Sequence, residues 1–383
     1  MYPYAIVFLS LWMASGLELF FKVRRLIYLL GFVAIVFLSL RFETGYDWPA
    51  YQQLFNLTPS IFEADINDIF EVASIELKEP FFVFFISFLK GLGGGFQFLL
   101  VVCAFFQIIV FIKYLSRLKE SSATIFALSF SWLLFTLYMS TLRQGLAVSF
   151  FLLFMIFMEQ RKKMTAISML VIGICFQYSS VVYILMYMAA NYIRWSKKLA
   201  VVCFSLIILA LFGVDSYVAI LKVISMAGFE MINSKIEWYI NGYSIPVNKF
   251  ELVYNLFFSS SVLLILYFSR PTNGDTVLVR KMYGMSILFC ILCLLFYNFP
   301  LLRNRVQYLV LPFCYFFVVR YFVVQKFSYR FCFFIFLFLI NALYFFLFLE
   351  KTSSTPFLPY QNYINYIFTG DPGDGAARYE MLE

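Results

Sequence analysis

The sequence predicts an all-α, polytopic membrane protein with about 12 transmembrane helices and one re-entrant or interfacial helix. The 383 residues are 63% hydrophobic and only 13% charged, whereas a soluble domain holds about 45–50% apolar and about 25% charged residues. Phe and Tyr are abundant, with 52 and 27 copies. Basic residues form short clusters between apolar runs, which is typical of membrane loops, so nucleic acid is not an expected partner.

The predicted spans are apolar segments that approach the roughly 20 residues needed to cross a bilayer. Their predicted bounds are 2–19, 25–40, 95–112, 122–140, 144–158, 164–177, 180–193, 199–214, 250–269, 282–298, 306–324 and 331–349. The segments 164–177 and 180–193 are notably short, and they meet at the polar sequence FQYSS (Phe176–Ser180).

The distribution of charge predicts the orientation. One set of loops carries 18 of the 29 basic residues and three acidic ones, Glu120, Glu159 and Asp275. Because cytoplasmic loops are enriched in Lys and Arg, this face is assigned to the cytoplasm. Both termini are then expected outside, in the periplasm, and the protein is expected in a bacterial inner membrane. The first apolar run begins at Met1 without a preceding basic segment, so a retained helix is expected rather than a cleaved signal.

The segment EPFFVFFISFLK (Glu79–Lys90) interrupts this pattern. Its apolar part has only about 10 residues, which is too short to span comfortably. If it did cross, the later basic loops would all move to the outside. We therefore predict a re-entrant or interfacial helix, ended by GLGGG (Gly91–Gly95).

Residues 1–369 are expected to form a single integral membrane domain with outer loops 41–79 and 215–249. Residues 370–383 are expected to be a disordered tail or an expression-vector remnant. The chain has no His, which excludes a His base, a His ligand and a Ser-His-Asp triad. The seven Cys all lie in apolar runs, where packing is their expected role. No metal and no cofactor are predicted.

The first candidate site is RFETGYDWPAY (Arg41–Tyr51), at the outer end of the second predicted span. Gly45 and Pro49 favour a turn that brings Arg41 and Asp47 onto the same side. Aromatic rings such as that of Tyr51 stack on sugars and also line membrane interfaces. A simple Arg–Asp pair that holds an aromatic belt therefore remains an alternative.

Three further stretches place polar side chains at predicted outer helix ends, where charge is expensive and usually functional. STLRQGLA supplies Arg143 and Gln144, and LLRNRVQY supplies Arg303, Arg305 and Tyr308. Arg binds phosphate oxygens through two hydrogen bonds, so a polyanionic ligand is one explanation. Snorkelling and the binding of lipid head groups are the alternatives. In FQYSS, Gln177, Tyr178 and Ser179 are expected either to bind a ligand or to pack a helix hairpin.

These residues carry a resemblance to the EpsG/Wzy group of O-antigen and exopolysaccharide polymerases. The similar pieces, in family order, are R-x-x-x-G-x-D-x-x-x-Y (Arg41–Tyr51), EPFF (Glu79–Phe82), LRQGLA (Leu142–Ala147), F-x-Y-S-S (Phe176–Ser180) and PY (Pro359–Tyr360). The resemblance implies a GT-C-like membrane glycosyltransferase. It would transfer a growing glycan from undecaprenyl pyrophosphate onto a lipid-linked repeat unit at the periplasmic face.

The resemblance also implies roles and partners. Asp47 and Arg143 are the expected catalytic residues; the expected substrate-binding residues are Arg41, Tyr51, Gln144, Gln177, Tyr178, Ser179, Arg303, Arg305 and Tyr308. Many members of the group have His where this chain has Gln177, and Gln cannot titrate, which favours Asp47 as the base. Expected partners are the undecaprenyl-pyrophosphate-linked oligosaccharide, membrane lipids and a chain-length regulator protein. A flippase or other secondary transporter, an O-antigen ligase and a structural membrane partner remain alternative functions.

Overall fold

The computed structural model describes residues 1–23, 25–63, 65–76, 78–118, 121–193, 195–212, 249–297, 300–350, 352–370, 373–374 and 378. The chain divides into two compact units. The first unit comprises residues 1–181 and 322–383, and the second comprises residues 182–321. The expectation of one integral membrane domain over residues 1–369 stays a prediction.

Helices make up most of the described chain. In order they are α1 (Tyr2–Phe21), α2 (Leu26–Ser39), α3 (Trp48–Leu57), α4 (Ile66–Ile75), α5 (Pro80–Gly91), α6 (Phe96–Leu115), α7 (Ser122–Leu133), α8 (Leu142–Glu159), α9 (Lys163–Phe176), α10 (Val181–Ala189), α11 (Lys197–Leu211), α12 (Lys249–Phe268), α13 (Val277–Leu295), α14 (Pro300–Val323), α15 (Phe327–Glu350) and α16 (Tyr363–Thr369). A π-turn (Leu134–Tyr138) extends α7, and 3₁₀ turns cover Tyr178–Ser180 and Thr352–Phe357. Two short strands, β1 (Arg41–Phe42) and β2 (Gln361–Asn362), pair antiparallel.

Among the described residues, six helices are long and apolar enough to cross a membrane. They are α1, α6, α8, α13, most of α14 and α15. The protein is therefore an α-helical, multi-pass membrane protein, as the composition predicts. The other predicted spans coincide with helices, or described helix segments, that are too short for this criterion, so the total of 12 crossings and the GT-C-like arrangement stay predictions. The predicted outer loop 215–249 lies, apart from Lys249, outside the described residues.

One end of the first unit is built from segments that are far apart in sequence. Arg41 of β1 lies opposite Asn362 of β2. The Tyr4 hydroxyl donates to the Phe357 carbonyl at 2.7 Å, and the Tyr360 hydroxyl donates to the Phe37 carbonyl at 2.6 Å. The start of α1, the end of α2 and the tail after α15 therefore meet at one end of this unit, which we call the Arg41 end.

The short apolar helix α5 begins and ends near the Arg41 end. Its N-cap, Glu79, pairs with Arg143 at the start of α8. Four residues separate its last residue, Gly91, from the start of α6, where the Gln97 side chain donates to the Arg41 carbonyl at 3.1 Å. A re-entrant or interfacial helix would have this geometry, because a spanning helix separates its two ends by the thickness of the bilayer. The placement of α5 relative to the membrane stays a prediction.

A polar network closes the opposite end of the first unit. Glu18, 7% exposed, lies near the end of α1 and accepts hydrogen bonds from the Ala123 backbone amide and, at 3.1 Å, from the Ser121 hydroxyl. The Ser15 hydroxyl donates to Thr124 at 2.8 Å. A carboxylate near the first amides of a helix accepts hydrogen bonds from donors that have no intrahelical acceptor. Its negative charge also interacts favourably with the positive end of the helix dipole. Glu18 thus ties α1 to the start of α7.

Glu18→Ala should lower the free energy of unfolding by about 1–3 kcal/mol, because it leaves buried amide and hydroxyl donors without their acceptor. Equilibrium unfolding in mixed micelles measures this. Glu159→Ala is the control: Glu159 pairs with Arg117 at 3.6 Å, both side chains are partly exposed, and such pairs contribute about 0–1 kcal/mol. Equal losses for the two variants would contradict the capping role.

The second unit contains α10 to α14. The Tyr183 hydroxyl of α10 donates to the Arg305 carbonyl of α14 at 2.8 Å. The Lys281 ammonium of α13 donates to the Tyr187 carbonyl at 2.8 Å and lies 3.9 Å from the centre of the Tyr187 ring. Arg320 of α14 pairs with Asp275 at 2.8 Å. The pKa of Asp275 is lowered overall, since its hydrogen bonds and the Arg320 charge outweigh the effect of burial.

Candidate functional site

The turn that follows Arg41 packs against the residues that precede α8. Gly45 has a φ of +124°, a conformation open mainly to glycine. A Cβ atom at this position would lie 2.3 Å from the Met139 carbonyl oxygen. The next residue, Tyr46, donates its backbone amide to the Ser140 hydroxyl at 3.3 Å. The first two candidate motifs, RFETGYDWPAY and STLRQGLA, are therefore in direct contact.

This contact places Asp47 and Tyr51 beside the start of α8. Asp47 occupies the N-cap position of α3 but makes no side-chain capping bond, so its carboxylate is not committed to the helix amides. One turn later, Tyr51 is 5% exposed and packs edge-on against Phe82, with ring centres 5.7 Å apart. The Tyr51 hydroxyl hydrogen-bonds the Arg143 side chain. The motif thus delivers a phenol and a carboxylate to the same side of α3.

Arg143 is the centre of the arrangement. It lies in the first turn of α8, and its Nη1 donates to the Glu79 Oε2. The Arg143 and Glu79 side chains are 19% and 8% exposed, so the ion pair is largely shielded from water. The Arg143 Nε is buried and has no hydrogen-bond partner among the described residues. The guanidinium is therefore held in place by Glu79 and Tyr51, and its Nε is a buried donor that these two bonds do not use.

The FQYSS bend joins the same group of residues. Gln177 ends α9, is 9% exposed, and donates its backbone amide to the Gly173 carbonyl at 3.2 Å. The Tyr178 backbone amide points to the Glu79 Oε1 at 3.4 Å, while the Tyr178 side chain is 58% exposed. Ser179 is half-buried in the 3₁₀ turn. Glu79 thus joins the bend to Arg143.

The ionisable groups around Arg143 influence one another's pKa values. The pKa of Tyr51 is raised, chiefly by burial and further by the Asp47 carboxylate, with the Arg143 charge opposing both. The pKa of Lys78 is lowered, first by burial and then by the Arg143 charge. The carboxylates of Asp47, Glu76 and Glu79 act on Lys78 in the opposite direction. Two cations and three carboxylates therefore share one small region.

Two other predicted site residues of the first unit, Arg41 and Gln144, are almost completely buried. Arg41 is 2% exposed, and its Nη1 lies 3.3 Å from the position that a Gly45 Cβ would take. Burial raises the pKa of Tyr360, and the Arg41 charge opposes this rise. Gln144 is 3% exposed within α8. Arg41 is therefore positioned to support the Gly45 turn, beside the residues that precede Arg143.

The remaining predicted residues belong to the second unit. Arg303 is 7% exposed and lies one turn into α14. The Arg305 carbonyl accepts from Tyr183, as described above, and Tyr308 is half-buried on the same helix. Their predicted contribution to a shared ligand site stays a prediction.

Sequence reasoning missed Glu79 and Lys78 as site residues, because it counted both within an acidic outer loop. The available signal was an acidic residue directly before Pro80, at the start of an apolar helix too short to span. A carboxylate at the edge of an apolar helix needs a cationic partner, and the outer arginines were the obvious candidates. Among the described residues, no group of three or more His, Cys, Asp or Glu is placed to hold a metal ion.

A family model described as EpsG family matches residues 24–362, which is most of the chain. No curated protein and no solved structure matches in the corresponding comparisons.

Proposed function

The chain belongs to the EpsG family, and from that membership and the Arg143 arrangement we propose that it is a polysaccharide polymerase of the bacterial inner membrane. It transfers a growing glycan from undecaprenyl pyrophosphate onto a lipid-linked repeat unit. The reaction takes place at the Arg41 end, which we assign to the periplasmic face. This function requires a membrane protein with polar groups at its outer surface, and the positive-inside distribution of Lys and Arg supports that assignment.

The observation that carries the proposal is the shielded Arg143, held by Glu79 and Tyr51 beside Asp47. In the transfer, an acceptor hydroxyl attacks the anomeric carbon of the donor glycan. The bond from that carbon to the pyrophosphate oxygen breaks, and undecaprenyl pyrophosphate leaves with an additional negative charge. A guanidinium that is already held in position stabilises this developing charge without reorganising. Mobile water molecules would first have to reorient, which costs free energy.

Proton transfer is the second requirement. The acceptor hydroxyl must lose its proton, and we propose that Asp47 is the general base that accepts it. The Asp47 charge acts on Tyr51 and Lys78. Glu79 serves as a positioning residue, because its two oxygens are engaged by Arg143 and the Tyr178 amide. The proposed substrate-binding set within the first unit is completed by Arg41, Gln144, Gln177, Tyr178 and Ser179.

The direct test is product formation by the purified protein in nanodiscs with its lipid-linked repeat unit. A polymerase gives a ladder of products that differ by one repeat. Transfer of a preformed glycan to a lipid A core would identify a ligase. Movement of the lipid-linked unit between leaflets without any ladder would identify a transporter, and either result would overturn the proposal.

Asp47→Asn should reduce turnover by about 10²–10⁴-fold, because the amide cannot accept the hydroxyl proton. The pH–rate profile should also lose the acidic limb that reports a carboxylate base. Asp65→Asn is the matched control, since Asp65 is an exposed acid of the same outer segment that caps α4. An unchanged acidic limb in Asp47→Asn would show that another group is the base.

A further inference from the structure

We infer that the exposed aromatic face of α5 binds the polyprenyl tail of the lipid-linked substrate, with its diphosphate at Arg143. This inference rests on the proposed function for the nature of the lipid. It adds the direction in which the tail leaves the site and the side chains that contact it.

Helix α5 has two sharply different faces. The buried face packs into the core of the first unit through Phe82, Val83, Ile86 and Leu89. The opposite face exposes Phe81 (38%), Phe84 (42%), Phe88 (43%) and, just after the helix, Leu92 (59%). Residues spaced by three or four lie on one side of a helix, so these four form a continuous stripe. We call it the α5 stripe, and at 1.5 Å per residue it is about 17 Å long.

The α5 stripe begins at the proposed diphosphate site. Glu79, the partner of Arg143, is the N-cap of α5 and lies two residues before Phe81. Phe81 also contacts Phe176, with ring centres 4.9 Å apart, and Phe176 directly precedes Gln177. A lipid whose diphosphate binds Arg143 carries its first isoprene unit directly on that diphosphate. The first exposed apolar residue along α5 from that position is Phe81.

The position of α5 also favours a specific ligand over bulk lipid. Both ends of α5 lie near the Arg41 end, as described above, so the stripe runs along that end and does not cross the bilayer. The far end is fixed, because the Lys90 ammonium donates to the carbonyls of Phe55, Asn56 and Thr58 at 3.1, 3.3 and 2.7 Å. These bonds satisfy the C-terminal carbonyls of α3 and hold α5 in place. The stripe is therefore a fixed apolar surface that starts at a charged site.

Photolabelling of the full chain tests the inference without requiring turnover. The probe is a polyprenyl diphosphate with a diazirine on its second isoprene unit, in nanodiscs of phosphatidylethanolamine and phosphatidylglycerol. Label should appear on residues 80–92, and excess undecaprenyl diphosphate should remove it. Label found elsewhere, or label on α5 that undecaprenyl diphosphate does not displace, would overturn the inference and indicate bulk lipid at the stripe.

Variants distinguish binding of the polyprenyl tail from binding of the diphosphate head group. Phe84→Ala with Phe88→Ala should weaken binding of undecaprenyl diphosphate by about tenfold, the order expected for losing two aromatic contacts. Binding of inorganic pyrophosphate, which has no tail, should be unchanged in this variant and lost in Arg143→Ala. Phe32→Ala with Phe336→Ala is the matched control, because both rings are similarly exposed, at 64% and 53%, on other helices. Equal weakening by both double variants would overturn the inference.

The outcomes for the tail and for the reaction are separable. Displaceable label on α5 in a protein that forms no ladder would support the tail site and contradict the proposed polymerase activity. A normal ladder in a protein whose α5 is not labelled would support the proposed polymerase activity and contradict the tail site.

Discussion

Arg143→Ala should reduce the rate of product-ladder formation by about 10²–10³-fold, the loss expected when one preorganised donor to a developing oxyanion is removed. In the proposed transfer, the pyrophosphate leaving group gains charge as the glycosidic bond breaks, and Arg143 is the guanidinium that Glu79 and Tyr51 hold in place. Initial rates of ladder formation with saturating lipid-linked substrate measure the effect. Arg143→Lys should recover little of the activity, because an ammonium cannot reproduce the planar, two-donor geometry of Arg.

A loss of activity could also follow from misfolding, since Arg143→Ala leaves Glu79 buried and unpaired, at a cost of about 3–5 kcal/mol. The double variant Arg143→Met with Glu79→Gln removes both charges and so should restore stability. If Arg143 acts on the substrate, the double variant folds and remains inactive. Arg117→Ala is the control for losing a guanidinium at the opposite end of the first unit. Wild-type rates in the Arg143 variants would refute the assignment.

Gly45→Ala should lower the free energy of unfolding by about 3 kcal/mol or more, because two penalties coincide. The φ of +124° is strained for any residue with a Cβ, and that Cβ would lie 2.3 Å from the backbone oxygen of Met139. A backbone atom cannot move aside as the end of a side chain can, so the Gly45 turn must separate from α8. Activity should fall with stability, because this turn brings Asp47 to Arg143.

Variants at two other glycines distinguish the cost of backbone strain from the cost of steric overlap. Gly93 has a φ of +80° but open space at its Cβ position, so Gly93→Ala should cost only ~1 kcal/mol of backbone strain. Gly95 has neither a positive φ nor a close neighbour, so Gly95→Ala should be nearly neutral. Equilibrium unfolding of the three variants in mixed micelles tests the order. A Gly45→Ala variant as stable as Gly95→Ala would mean that the turn does not pack on α8 as described.

Much of the helical architecture was predictable, because long apolar runs leave few alternatives in a membrane. The apolar run 80–89 does form a short helix of 12 residues, α5, and that it does not span the membrane stays a prediction. Helices α3 and α4 were not predicted within the outer loop 41–79. Asp65 and Asp68 form a capping box in α4, and that signal was readable in the sequence.

The site was predictable only in part. Local patterns singled out Arg41, Asp47 and Arg143, since arginines at outer helix ends run against the usual charge distribution. No local pattern states that Glu79 pairs with Arg143, 64 residues later, or that β1 pairs with a strand near residue 361. Such pairings arise from tertiary packing, which a single sequence does not encode by spacing. The motif order of the family suggested shared function but not these contacts.

The most direct test of the account is a structure of the protein in nanodiscs with undecaprenyl diphosphate bound. The account predicts diphosphate oxygens within hydrogen-bonding distance of the Arg143 guanidinium, with Glu79 still paired to it and Asp47 facing the same space. A diphosphate bound elsewhere, with Arg143 and Glu79 closed on each other and no ligand beside them, would contradict it.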